Sequence, residues 1–183
     1  MPRIGLLSDS HGRVATTRQA VFVLLEQRID TLIHLGDLGS MEVIDELVVG
    51  ETQLQNSATS ANNVDAVATA VQSRLVFGNV DWDRASMAQY ARHLGIGVAD
   101  PAGTLDLPDG RQLIFTHGHD DKAVDDALAS GASYLCHGHS HRVRDEKVDS
   151  TRVLNPGALF RAKQYTVAVL DTDTDNFTVI ELD

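Results

Sequence analysis

Three short segments hold six of the eight histidines in this chain, and each segment follows an apolar run. They are Asp9-Ser10-His11, His117-Gly118-His119 and His137-Gly138-His139-Ser140-His141. Two further segments, Gly36-Asp37 and Gly78-Asn79, also follow apolar runs and pair a glycine with a residue that has a side-chain oxygen. Imidazoles and carboxylates are the usual protein ligands of transition metals. Their recurrence beside glycine at the ends of apolar runs indicates a metal site assembled from distant parts of the chain.

The spacing within these segments suggests how they bind metal. Residues i and i+2 of an extended segment project to the same side, so Asp9 and His11 are expected to reach one metal together, as are His139 and His141. The carboxylate of Asp37 has enough lone pairs to bridge two cations. Each short motif also occurs in ordinary turns, whereas the ordered set of five is far more specific.

The first half of the chain alternates between two kinds of pattern. Short apolar runs predict buried strands at residues 4–7, 31–35 and 75–77, and helical spacing predicts helices at 14–27 and 41–49. This alternation indicates a parallel sheet covered by helices. The candidate ligands follow the carboxyl ends of these strands, where open α/β sheets bind their ligands.

The second half is richer in strands. Helices are predicted at 83–94 and 124–129, and strands at 103–107, 112–115, 134–136, 141–148, 152–154, 166–170 and 177–182. Pro108-Asp109-Gly110 is a typical hairpin turn between two of these strands. Two sheets, each covered by helices, are the simplest packing of such a chain.

The segment 51–72 differs from its surroundings because it is polar and rich in Ser, Thr, Asn and Ala. We predict a loop there, followed by a helix that Asn63 could cap. The chain is thus expected to form one domain over residues 1–183 with a loop and helix insertion at 51–72.

Composition excludes several classes of protein. The formal net charge of −11 disfavours polymeric nucleic acid and anionic membranes as partners. Apolar runs fall well short of the roughly 20 residues of a membrane span. The single cysteine, Cys136, fits a reducing compartment, and no signal peptide is evident at Met1. We therefore expect a soluble, cytoplasmic protein.

The ordered motifs resemble those of the calcineurin-like metallophosphoesterase superfamily, and most of all its compact bacterial and archaeal phosphodiesterases. The motifs that carry the resemblance are Asp9-x-His11, His34-Leu35-Gly36-Asp37, Gly78-Asn79, His117, Gly138-His139-Ser140-His141 and Asn155-Pro156-Gly157. The resemblance implies a four-layer α/β/β/α sandwich of two mixed β-sheets flanked by helices.

The resemblance also implies two divalent metal ions and a hydroxide shared between them. One ion would be bound by Asp9, His11 and His141, the other by Asn79, His117 and His139, and Asp37 would bridge the two. Mixed imidazole and carboxylate ligands favour transition metals over calcium or magnesium. Manganese is the expected metal, with iron, zinc, nickel and cobalt as alternatives.

Such a pair of ions lowers the pKa of the shared water and clamps an in-line displacement at phosphorus. Counting Asp9, Asp37 and the hydroxide against two divalent ions leaves about one positive charge, which matches a phosphodiester better than a dianionic monoester. A small phosphodiester is therefore the expected substrate. A phosphomonoesterase, a non-catalytic scaffold such as the retromer subunit of this fold, and a homo-oligomeric assembly remain open.

One departure from the family pattern concerns the leaving group. Many members carry a histidine at the place of Val80, where it helps to protonate the leaving group. Asp81 and His119 are the alternative proton donors here, so the predicted catalytic residues are Asp37, Asn79, His119 and Asp81. We expect slow cleavage of alkyl diesters as a consequence.

Three other residues receive non-ligand predictions. His34 lies within a predicted strand and is interpreted as a hydrogen-bonded core histidine. His137 is expected to pack against the site without binding metal. Arg84 is expected to form a surface ion pair, with a phosphate contact as the alternative.

Overall fold

The structure, a computed structural model, describes residues 2–49 and 71–182. The predicted insertion at 51–72 therefore lies outside the described residues, apart from its last two positions. Gln72, which we placed in this polar segment, is the first residue of a strand.

The first sheet has six strands: β1 (Arg3–Leu7), β2 (Thr31–His34), β3 (Gln72–Val76), β4 (Gly97–Ala99), β10 (Thr166–Asp171) and β11 (Asn176–Glu181). Their spatial order is β11-β10-β1-β2-β3-β4. The strands β1 to β4 are parallel, and β10 and β11 are antiparallel to their neighbours. The parallel half confirms the pattern predicted for the first part of the chain.

The second sheet has five strands: β5 (Ala102–Asp106), β6 (Gln112–Thr116), β7 (Tyr134–Cys136), β8 (Val143–Val148) and β9 (Thr151–Pro156). Their order is β5-β6-β7-β9-β8. The central strands β6, β7 and β9 are parallel, while β5 and β8 pair antiparallel at the two edges. The predicted hairpin between β5 and β6 is confirmed.

Four helices cover the sheets within the described ranges: α1 (Val14–Glu26), α2 (Met41–Asp45), α3 (Arg84–His93) and α4 (Asp121–Ala129). The side chain of Asp83 caps α3 by accepting a hydrogen bond from the Ser86 amide. Asp120 caps α4 in the same way through the Ala123 amide.

Three apolar clusters separate four layers. Alternate residues of a strand point to opposite faces of the sheet. Leu32 and Leu75 of the first sheet pack with α1, α2 and α3, whereas their neighbours Ile33 and Val76 pack between the two sheets. On the second sheet, Leu135 belongs to the cluster beneath α4. Burial on both faces explains the continuous apolar runs in the sequence and confirms the α/β/β/α sandwich.

The observed elements differ from the predicted ones in several places. Strand β4 was not predicted, because three residues are too few to establish a periodicity. Helix α2 ends at Asp45, before the predicted limit at Val49. His141 lies outside β8, which begins at Val143, and this matters for the site. Within the described ranges, no helix is long and apolar enough to cross a membrane.

Candidate metal centre

The segments that carry the predicted ligands follow the carboxyl ends of five strands: β1, β2, β3, β6 and β7. Backbone hydrogen bonds hold the first two of these segments together. The Asp9 amide donates to the Gly36 carbonyl at 3.0 Å, and the His11 amide donates to the Asp37 carbonyl at 2.9 Å. The Asp9-His11 motif is therefore fixed beside Asp37 before any side chain is considered.

Five of the seven predicted ligands have left-handed backbone conformations. The φ angles of these residues are 58° for Asp9, 45° for His11, 56° for Asp37, 64° for His139 and 55° for His141. Such angles are uncommon outside glycine and cluster at functional sites. The predicted geometry of extended segments with i and i+2 on one side was therefore wrong. The ligands are gathered by tight left-handed turns, which direct side chains into the site.

Asp9, His11 and His141 form one group of candidate ligands. Their donor atoms all lie within 4.8 Å of one another. Nε2 of His141 lies 3.1 Å from Oδ1 of Asp9, whose side chain is fully buried. This is the set that the family resemblance predicted for one ion. His139 is not part of this group, so the expectation that it binds one metal together with His141 stays a prediction.

Asp9, Asp37 and His117 form a second group at the same mutual distance of 4.8 Å or less. Nε2 of His117 lies 3.4 Å from Oδ1 of Asp37 and 3.2 Å from Oδ1 of Asn79. The other oxygen of Asp37, Oδ2, lies 3.3 Å from Nε2 of His11. The two oxygens of Asp37 thus face different histidines, Oδ2 facing His11 and Oδ1 facing His117.

The tautomer of His117 follows from its surroundings. Its Nδ1 lies 2.7 Å from the carbonyl oxygen of Leu35, and a carbonyl can only accept, so Nδ1 carries a proton. In the neutral ring Nε2 then presents a lone pair toward Asp37 and Asn79. Metal-binding histidines are commonly oriented by such a backbone hydrogen bond on the opposite nitrogen.

His139 and Asn79 stand at the exposed rim of this second group. The ring of His139 lies 5.1 Å from that of His117. Its amide donates to Oδ2 of Asp9 at 3.2 Å, which attaches this loop to the end of β1. His119 lies at the same rim, with its ring 5.2 Å from His117.

Electrostatics favour the ionised form of Asp37. Burial opposes ionisation, but hydrogen bonds from the protonated form of His117 and from the Val80 amide lower the pKa of Asp37 to about 2. Burial likewise acts to lower the pKa of His117, and the neighbouring Asp37 outweighs it and raises that pKa. A proton and a metal ion therefore compete for Nε2 of His117. Burial lowers the pKa of His11, which leaves this imidazole neutral and able to bind metal.

The carboxylate of Asp81 binds backbone amides of two loops that carry candidate ligands. It is 3% exposed and accepts hydrogen bonds from the amides of Gly78, Gly39 and Leu38 at 2.8, 2.9 and 3.3 Å. Burial raises the pKa of its carboxyl group despite these donors. These contacts connect the loop after β3 to the loop after β2. They position the segments of Asn79 and Asp37, and both carboxylate oxygens are used in doing so.

A buried chain of polar groups behind the site was only partly foreseen. The Gly36 amide donates to Nδ1 of His34 at 3.2 Å, so the proton of the neutral ring is on Nε2, which lies 2.8 Å from Oγ of Ser10. Burial lowers the pKa of His34 to about 3, which keeps the ring neutral. The hydroxyl of Thr17 lies 3.0 Å from Ser10. The core role predicted for His34 matches this position, whereas Ser10 and Thr17 gave no sequence signal.

A second set of contacts holds the loop of His139 and His141. Asn155 donates through Nδ2 to the Gly138 carbonyl at 2.8 Å, and His137 packs beside it without joining either ligand group. Arg84 forms the expected ion pair, at 3.0 Å from Asp100.

The unsatisfied atoms of the site fit divalent metal ions. Oδ1 of Asp9, Nε2 of His11 and Nδ1 of His119 are buried and have no hydrogen-bond partner of suitable geometry among the described residues. Leaving such atoms unpaired costs on the order of 1–3 kcal/mol each. Nitrogen and carboxylate donors that converge in this way are suited to transition metals. The fold and this donor set together define a metal-dependent hydrolase of the two-sheet sandwich type.

The chain belongs to the calcineurin-like phosphoesterase superfamily. The sequence profile of that superfamily domain matches residues 2–175. This assignment confirms the family resemblance and establishes the protein as a metal-dependent phosphoric ester hydrolase.

Individual relatives agree with the assignment. A phosphodiesterase of Methanocaldococcus jannaschii is 27% identical over 99% of both chains. The solved structure of an archaeal phosphodiesterase superposes with a TM-score of 0.79 at 24% identity, covering 98% of this chain and 99% of the other. The phosphoesterase Yfce of E. coli gives a TM-score of 0.60 at 18% identity, covering 99% of this chain and 100% of the other. Vps29 of Entamoeba histolytica complexed with zinc gives a TM-score of 0.57 at 16% identity, covering 98% of this chain and 91% of the other. The structural likenesses establish the fold.

Proposed function

We propose that this protein is a phosphodiesterase that holds two divalent metal ions. The observation that carries the proposal is the position of Asp37. Its Oδ2 faces His11 at 3.3 Å and its Oδ1 faces His117 at 3.4 Å, so one carboxylate serves two groups of ligands. The archaeal relative named a phosphodiesterase matches along 99% of this chain, which supports the same substrate class.

The proposed ligand sets follow the two groups. Asp9, His11 and His141 would hold one ion. His117 and Asn79, with His139 at the rim, would hold the other. Asp37 would contribute to both sets. Asp9 belongs to both groups, so its carboxylate would be available to either ion.

When bound, the ions would supply a nucleophile from water near neutral pH and neutralise charge on the phosphoryl oxygens. The chain's own residues define the rest of the site. Asp37 remains ionised because its pKa is about 2, and Asn79 contributes a neutral oxygen that leaves the site electropositive. A singly charged diester suits this balance better than a dianionic monoester, which stays the second candidate.

For the leaving group, we propose that His119 is the better placed of the two predicted proton donors. It lies at the rim, and its buried Nδ1 lacks a partner within the described part of the chain. Burial lowers its pKa, so the protonated ring that can donate is the minor form near pH 7, and donation by His119 should increase as the pH falls. Asp81, by contrast, uses both oxygens to bind backbone amides.

Several broader features belong to the same proposal. We propose manganese as the native metal, because the ligands mix imidazole, carboxylate and amide groups. A small phosphate ester as substrate and a cytoplasmic location are supported by the net charge of −11 and the single cysteine. A single functional domain is supported by the apolar cluster that the two sheets share.

The test compares metal content and turnover in one series. Apo protein is loaded with manganese, iron, zinc, nickel or cobalt and assayed with bis(p-nitrophenyl) phosphate and p-nitrophenyl phosphate. We expect two ions per chain, faster cleavage of the diester, and loss of both properties in Asp37→Ala. The matched control is Asp125→Ala, since Asp125 is exposed on α4 away from the site.

Each alternative gives a distinct result. Preference for the monoester would assign a phosphomonoesterase. Metal binding without turnover of either ester would assign a non-catalytic scaffold. Failure to bind metal in the wild-type protein would overturn the proposal.

A further inference from the structure

Arg13 and Arg161 are two of the six arginines, out of twelve, that have no carboxylate partner within the described ranges. Carboxylate partners are found within the described ranges for Arg3, Arg18, Arg84, Arg111, Arg144 and Arg152. Arg13 and Arg161 are exposed and form no ion pair with any residue of 2–49 or 71–182. What distinguishes these two arginines from the other unpaired ones is that both contact the same aromatic ring.

Both guanidinium groups lie against the ring of Phe160. The guanidinium carbon of Arg13 is 4.8 Å from the ring centroid, and that of Arg161 is 5.0 Å from it. The same ring lies 4.6 Å from the ring of His11, a candidate metal ligand. The three side chains therefore form a cationic cluster directly beside the Asp9, His11 and His141 group.

The backbone holds this cluster in place. The amide of Leu159, a fully buried residue, donates to the Ser8 carbonyl at 3.1 Å, which fixes the segment of Phe160 to the end of β1. The Arg13 amide donates to the Ser10 carbonyl at 2.9 Å. Both anchors are residues adjacent to Asp9, so the cluster and the ligand group share one support.

Electrostatics indicate what the cluster binds. Two like charges that contact one ring repel each other, and contact with an aromatic face offsets this repulsion only in part. An anion bound by these guanidinium groups reduces the repulsion and accepts charge-assisted hydrogen bonds from their planar forks. The cluster is therefore suited to bind a carboxylate or a phosphate. The substrate is the natural source of that anionic group.

We propose that Arg13, Phe160 and Arg161 form a subsite for a second anionic group on the substrate, next to the metal centre. This inference rests on the proposed phosphodiesterase function and narrows its substrate class. The preferred substrate is a phosphodiester whose non-leaving substituent bears a carboxylate or a further phosphate. The ring of Phe160 contacts both guanidinium groups, so Phe160 is a positioning residue.

The experiment uses two substrates with one leaving group: p-nitrophenyl phenyl phosphate and p-nitrophenyl p-carboxyphenyl phosphate. Release of p-nitrophenol is measured with the metal-loaded protein. We expect kcat/KM to be about tenfold higher for the carboxylated ester, since charge-assisted hydrogen bonds contribute about 1.5–3 kcal/mol. Arg13→Gln and Arg161→Gln should each reduce this preference, and the double variant should remove it.

Two further variants serve as controls. Arg28→Gln removes the same charge from an exposed arginine that precedes β2. This arginine lies at the amino end of the strand, whereas the ligands follow the carboxyl ends, so the variant should keep the full preference. Phe160→Leu keeps an apolar side chain over His11 and should weaken the preference. A wild-type protein that cleaves both esters equally, or a double variant that keeps the preference, would overturn the subsite.

A binding measurement separates this inference from the proposed function. The affinities of phenylphosphonate and p-carboxyphenylphosphonate for the metal-loaded protein are compared by calorimetry. Tighter binding of the carboxylated compound, lost in the double variant, supports the subsite even without turnover. If neither ester is cleaved while this difference persists, the phosphodiesterase proposal fails and the subsite stands. Equal affinities would contradict the subsite directly.

Discussion

Gly78 lies against Asp37 so closely that a Cβ atom on the glycine would be 2.0 Å from Oδ1 of the carboxylate. The same Cβ would lie 2.4 Å from the Asp37 amide nitrogen. The loop after β3 therefore reaches the proposed bridging ligand only because this position has no side chain.

Substituting Gly78 should consequently disturb the metal centre more than the fold. We expect Gly78→Ala to displace Asp37 and to lower metal content and turnover at least about tenfold, because ligand placement within a fraction of an ångström controls both. Elemental analysis and steady-state assays provide the measurement. Gly97→Ala is the control, since its Cβ would meet the Arg74 side chain at an ordinary 3.4 Å. Equal metal content in both variants would contradict the expectation.

The buried carboxylate of Asp81 gives a prediction about stability. Asp81→Asn replaces an acceptor oxygen with an amide that faces backbone N–H groups of Gly39 or Gly78. We expect the free energy of unfolding to fall by about 1–3 kcal/mol, the usual cost of an unsatisfied buried donor. Chemical denaturation measures this loss. Unchanged stability combined with a selective loss of turnover on poor leaving groups would instead assign proton donation to Asp81.

Leaving-group dependence tests the role of His119. We expect activated aryl diesters to be cleaved at least about a hundredfold faster than matched alkyl diesters, because proton donation is worth about 10²–10⁴-fold when it is well positioned. His119→Gln should slow the alkyl esters more than the aryl esters. Steady-state rates on matched pairs provide the readout. An equal effect on both classes would show that His119 contacts the substrate without transferring a proton to its leaving group.

Cys136 should be unreactive in the folded protein. Its side chain is fully buried between the two sheets, so neither solvent nor a thiol reagent reaches it. Burial also raises the pKa of its thiol. An ordinary thiol ionises near pH 8.5, so the unfolded state gains thiolate above that pH while the folded state does not. The contribution of Cys136 to stability is therefore complete at lower pH and declines as pH rises. A thiol reagent at about pH 9 should react only after denaturant is added; rapid native-state labelling would contradict this.

The sequence alone determined the architecture and the identity of the candidate ligands. Runs such as residues 4–7 and 31–35 are apolar on both strand faces, which requires layers on either side of each sheet. The chemistry of imidazole and carboxylate groups follows from residue type, so Asp9, Asp37 and His117 could be chosen before their positions were known. Short elements such as β4 carry too few residues for a period to be recognised.

Tertiary structure decided how these residues meet. The left-handed turns at His139 and His141, the use of Asp81 as a backbone anchor, and the contact of Arg13 with Phe160 all depend on segments far apart in the chain. Local sequence fixes the propensity of each segment, but the distance between two segments depends on how the sheets pack. For this reason the donor types were predictable from the residues themselves, whereas the grouping of Asp9, His11 and His141 was predicted by the family resemblance and not by local spacing.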